Sequence, residues 1–136
     1  MPSRARASFV VHSEAITGEE ITRRLGIRPT HVVERGEPIS QRFPDGKRRE
    51  HATWELTSHI GETEQLAAHL ESLLDIIEPM IHTLRQLEAL GGTVRWSCLV
   101  TAKPMGNMVW IEPPLLARLT QVGAPLMLDI YDSDEE

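Results

Sequence analysis

One cysteine, Cys98, is all the thiol that this chain of 136 residues carries. No internal disulfide can form, so a hydrophobic core must hold the fold, and the expected compartment is the reducing cytoplasm. No run of 18 apolar residues occurs, which excludes a membrane-spanning helix. The opening MPSRARASFVVH lacks the long apolar centre of a signal peptide, in keeping with that expectation. Both G-x-G-x-x-G and G-x-x-x-x-G-K-S/T are missing, and with them the two common glycine cradles for phosphate. No serine sits in a G-x-S-x-G elbow. The six histidines, His12, His31, His51, His59, His69 and His82, show no pair at metal-ligand spacing, and one cysteine cannot complete a structural zinc site. No cofactor, no metal and no catalytic residue is therefore expected.

What is present is an ordinary soluble composition, 40% apolar and 25% charged, at a length that fits one domain, 1–136, with one core. The net charge of −6 is unevenly spread. Residues 1–50 carry ten Lys/Arg and seven Asp/Glu, whereas residues 51–136 carry four and thirteen. The acidic balance argues against a general nucleic-acid partner but leaves room for a basic patch in the first third.

The most regular stretch is Thr63–Leu90. Leu66, Leu70, Leu73, Ile77, Ile81, Leu84 and Leu87 fall three or four apart, which is one face of a helix. Pro79 lacks an N–H and its ring opposes the carbonyl of Asp75, so the segment must kink or divide there. Before it, Ala7–His12 reads as a strand. Thr17–Glu20 has the spacing of a capping box, in which Glu20 reaches back to the Thr17 amide. A short helix over Gly18–Leu25 buries Ile21 and Leu25 and stops at Gly26.

Ile27–Glu50 is irregular, with a short edge ribbon over Thr30–Arg35 and an exposed loop over Gln41–Glu50 that turns at Asp45-Gly46. His51–Ser58 and Thr93–Thr101 alternate as strands. Lys103–Asn107 reads as a turn and Met108–Ile111 as a short strand. Pro113 opens a helix that ends at Gly123. Pro125–Tyr131 is a last strand, followed by the frayed acidic tail 132–136.

The implied fold is α/β (α+β): a two-layer sandwich with a mostly antiparallel or mixed sheet and helices on one face. It is ferredoxin-like, with an inserted long kinked helix joining two β-α-β halves of similar layout.

Few residues stand out for chemistry. Arg28, Arg35, Arg42, Lys47, Arg48 and Arg49 give the irregular segment a positive field, and Thr30, His31 and Ser40 add hydrogen-bonding groups that an anion or acidic surface could use. The bland alternative is a solvated charged loop. Asp129 shares a strand face with Met127 and Tyr131; if buried it needs a partner such as Arg28 or Arg95. Cys98 alternates with Trp96 and Val100 and reads as an inert core thiol. Trp54, Trp96 and Trp110 read as core anchors. His69 and His82 are placed on the solvent side or rim of the long helix.

The ordered set Ile16–Ile21, Leu25-Gly26-Ile27-Arg28-Pro29-Thr30, Arg35-Gly36-Glu37-Pro38, Trp54-Glu55-Leu56, Ile77-Glu78-Pro79 and Leu126–Tyr131 resembles the bacterial domain-of-unknown-function family 4279 over about Ser8 to Tyr131. The resemblance implies a small soluble bacterial protein and carries no catalytic residues with it. The apolar run Met108-Val109-Trp110 departs from the pattern of that family.

The reading is a non-enzymatic protein-interaction or regulatory module whose partner is another protein, an immunity-type target included, or a second copy in a homodimer. The alternative, from another class, is a small anionic-ligand binder or enzyme with a site formed by Arg28, Thr30, His31, Arg35, Asp129 and Tyr131, between loop 27–50 and the last strand.

Overall fold

The computed structural model describes residues 4–102 and 108–132. It shows an α+β fold, as the patterning implies. The elements run β1 (Arg4–Ser13), α1 (Gly18–Leu25), β2 (His31–Val33), β3 (Ala52–Thr57), α2 (Leu66–Ile77), a 3-10 turn (Glu78–Met80), α3 (Ile81–Ala89), β4 (Gly92–Ala102), α4 (Pro113–Val122) and β5 (Leu126–Asp132). The strands form a mixed sheet in the order β2-β3-β1-β4-β5, with β2 antiparallel to β3 and β4 parallel to β5. Pro79 divides the long apolar stripe into two helices rather than bending one, with the proline inside the 3-10 turn. The turn expected over Lys103–Asn107 and the tail 133–136 lie outside the described residues. Met108–Ile111, expected as a strand, has no regular structure.

The chain divides into two compact units, one of residues 1–9, 57–79 and 95–136 and the other of residues 10–56 and 80–94. In the second unit α1 packs on α3, and Ile21, Leu25, Leu84 and Leu87 are buried there. Thr17 caps α1, its hydroxyl accepting from the Glu20 amide at 3.0 Å. The other half of the capping box does not form. Glu20 instead takes Arg23 and Arg24, one turn on, whose guanidinium groups hold its carboxyl below the usual range. The remaining first-turn donors go to Glu34, whose carboxylate accepts from the amides of Gly18 at 2.8 Å and Glu19 at 3.1 Å.

Position 18 has little room for a side chain, because a Cβ there would press into Val32 Cγ2. Trp54 is fully buried and donates its indole N–H to Thr22 Oγ1 at 3.0 Å. The irregular segment is folded back on itself. Gly36 donates to Arg49 O, Arg49 to Glu37 O and Ile39 to Lys47 O, and Gly46 closes the expected turn onto Phe43 O.

In the first unit α2 packs on α4. Phe9 and Trp96 meet edge to face with ring centroids 4.8 Å apart. Arg118 of α4 clamps Glu78 through two hydrogen bonds of 2.9 Å and reaches Asp75 at 2.9 Å, which lowers the Glu78 pKa and raises its own. His69 is buried, 1% exposed, rather than at the rim, and its Nδ1 is hydrogen-bonded to Ser58 Oγ at 2.6 Å. It stands three residues after Leu66 and four before Leu73, so it belongs to the apolar stripe. Burial pushes its pKa below the ordinary histidine value.

Candidate interaction surface

The segment from β4 through α4 to β5 is assembled by simple local rules. Trp96, Cys98 and Val100 alternate inward along β4 and are buried. Pro113 and Pro114 open α4 at positions where a missing N–H loses nothing, and Leu115, Leu119 and Val122 form its buried stripe. Gly123, at φ 74°, takes the left-handed cap and donates to Leu119 O, and Pro125 then leads into β5. The parallel register sets Leu126 beside Trp96, Leu128 beside Cys98 and Ile130 beside Val100.

That register puts Leu126, Leu128 and Ile130 on the sheet face of the buried β4 residues, and Met127, Asp129 and Tyr131 on the other. Neither set is buried. Ile130 is 59% exposed and Tyr131 53%, and Leu126, Met127 and Leu128 are exposed as well. β5 ends the strand order, so among the described residues one backbone edge has no neighbour in the sheet. Apolar side chains continue from it. Leu116 of α4 and Leu126 line one cleft, and Val100, the neighbour of Ile130, lines another with Met108 and Trp110. Trp110 is 65% exposed, its indole N–H given to Glu112. It is therefore not the core anchor expected; Trp54 and Trp96 are. The departure at Met108-Val109-Trp110 was the signal in the sequence.

The residues singled out as a ligand site fall in different parts of the fold. Arg28, Thr30, His31 and Arg35 belong to the unit that contains β2, the first strand in the sheet order. Asp129 and Tyr131 lie on β5, the last. Arg35 donates to the Glu14 carbonyl at 3.1 Å, and Arg48 to the carbonyls of Gly36 and Pro44. Arg48 thus serves the loop's own backbone, and Arg35 ties the loop to the turn that follows β1. Asp129 is exposed and pairs in register with Leu99, four residues along β4 from Arg95, a separation of about 13 Å along a strand. Burial pushes the Cys98 thiol up to about 11. Among the described residues, no group of three or more His, Cys, Asp or Glu could hold a metal ion, and no helix is long and apolar enough to cross a membrane.

A family model described as a domain of unknown function (DUF4279) matches residues 3–133, nearly the whole chain, and the chain belongs to that family. No curated protein and no solved structure matches it.

Proposed function

We propose that this member of the DUF4279 family is a non-enzymatic interaction module that docks a protein partner on β5 and the apolar side chains beside it. One observation carries the reading: the strand that ends the sheet order is also the one whose apolar side chains are exposed on both faces. Exposed apolar side chains gathered on one strand mark an interaction surface, and the strand edge between them offers main-chain hydrogen bonds to an incoming chain. A cytoplasmic setting suits a chain whose single cysteine is a buried thiol.

The alternative ligand site draws less support, because Arg35 and Arg48 are already bonded to backbone carbonyls. A photoreactive residue at position 130, tested in the native host, decides the matter. Covalent capture of a protein from position 130, and not from the exposed position 86 on α3, is the expected result. No protein adduct from position 130 overturns the reading.

A further inference from the structure

We propose that the partner seated on β5 is a second copy of this chain, joined by antiparallel β5–β5 pairing about a twofold axis at Leu128. The inference rests on the docking reading and adds the occupant and its register.

The backbone phase comes first. Trp96 N–H donates to Pro125 O at 2.8 Å. In a strand, alternate residues turn their N–H and C=O to the same side. Pro125, Met127, Asp129 and Tyr131 therefore direct their backbone groups toward β4, and Leu126, Leu128 and Ile130 direct theirs away from it. Three consecutive outward residues can be fully paired by a homotypic antiparallel strand in one way. Leu128 faces Leu128 of the partner subunit, and Leu126 faces Ile130 of the partner subunit, with the reciprocal pair completing the set. Pro125, which has no N–H to give, falls on the inward side, so Leu126, Leu128 and Ile130 all keep an outward donor.

Charge selects the same register. Asp129 is the single charge between Leu126 and Tyr131. A dyad at Asp129 would set two carboxylates directly opposite each other, which is unfavourable. A dyad at Leu128 sets Asp129 across from Met127 of the partner subunit. With so little charge, the strand has nothing with which to select an acidic or basic partner, and a surface that pairs with itself needs nothing of the kind.

The usual protections against edge pairing are missing as well. The strand has no Lys, no Arg and no Pro from Leu126 to Tyr131, and its register with β4 runs unbroken from Leu126 to Asp132. Leu116, Met108 and Trp110 beside the strand are exposed as well and extend the apolar surface that a second copy can cover.

Sedimentation equilibrium and cysteine cross-linking test the pairing together. The wild-type chain is expected at twice its 15.3 kDa mass, and Ile130→Lys at the monomer mass with unchanged circular dichroism. In a hydrogen-bonded antiparallel pair the two Cα atoms lie about 5.5 Å apart, within disulfide reach. In a Cys98→Ala background, Leu128→Cys is therefore expected to give a disulfide-linked dimer under mild oxidation, and Asp129→Cys is not. Cys98 lies beside position 128 in the register of β4 and β5, so its removal keeps the new thiol from pairing within its own chain, and Cys98→Ala alone is the unlinked control. A wild-type monomer at high micromolar concentration, or a dimer that Leu128→Cys fails to link, overturns the pairing. Photo-capture of a different protein from position 130 would then leave the docking reading standing without it.

Discussion

At one end of the strand order, β2 is three residues long, and the chain leaves it through Glu34 and Arg35 into a segment tied to itself by backbone hydrogen bonds. At the other end, β5 runs for seven residues with one charge before Asp132 and its apolar side chains exposed. Short strands, nearby charge and covering loops are how proteins keep an edge from pairing. On the proposed reading, the chain guards one edge in its own sequence and leaves the other for a partner to cover. The contrast also separates stability from association. Substitutions around β2 should act on folding, and those on β5 on assembly.

The largest expected effect is at Gly18, where α1 begins against β2. A methyl group there would press into Val32 Cγ2 and meet Glu34 Oε2 at 3.0 Å, so the Val32 side chain must move or the helix must shift away from β2. Gly18→Ala should lower the unfolding free energy by about 1–3 kcal/mol, the usual range for overpacking, as read from the urea midpoint. An unchanged midpoint would mean that β2 yields freely and is not the rigid edge described. Next is Glu34→Ala. It strips two amides of their acceptor and removes a negative charge from a helix N-terminus, and should destabilise by about 1–2 kcal/mol. Glu34→Gln should recover part of the loss by keeping an acceptor.

A smaller effect belongs to His69 in the other unit. Its pKa is lowered by burial, so the folded protein holds the ring neutral where the unfolded chain, near the reference value of 6.5, begins to bind a proton. The unfolded state then binds more protons, and stability falls as pH drops below about 6.5, by at most about 1.4 kcal/mol per pH unit, and is flat in this respect above it. Denaturation midpoints followed from pH 7.5 to 5 should show the decline. His69→Gln should flatten it while costing some stability through the lost Ser58 contact.

Much of the fold was legible because its signals are local. The α1 boundaries, the glycine stops at Gly26 and Gly123, the proline start of α4 and the break at Pro79 each depend on a few neighbouring residues. The capping box was half legible, since Thr17 had no competing partner for its acceptor while Glu20 had two arginines within one turn. His69 has the spacing of the apolar stripe relative to Leu66 and Leu73, but histidine as a polar type does not read as core. The surface on β5 was not legible. Leu126–Tyr131 reads as a strand, but which strand ends the sheet depends on pairings between distant segments. Trp110 was misplaced for the same reason: an aromatic in an apolar run reads as core until the fold leaves it outside.

The finest comparison uses one type of substitution at both edges. Val32 on β2 and Ile130 on β5 are both exposed aliphatics, at 40% and 59%. Val32 nevertheless rests against Gly18, so Val32→Lys removes packing and should lower the folding stability by roughly 1 kcal/mol, within the common range for single changes. Ile130→Lys changes a side chain that is more than half exposed and buries less in the single chain, so its effect on monomer folding should stay within about 0.5 kcal/mol. The two variants separate further when protein concentration is varied. A chain stabilised by self-association unfolds at a midpoint that rises with concentration, by mass action. Wild type and Val32→Lys should both show that rise, and Ile130→Lys should not. If Val32→Lys abolished the concentration dependence and Ile130→Lys kept it, the guarded and open edges would have been assigned the wrong way round.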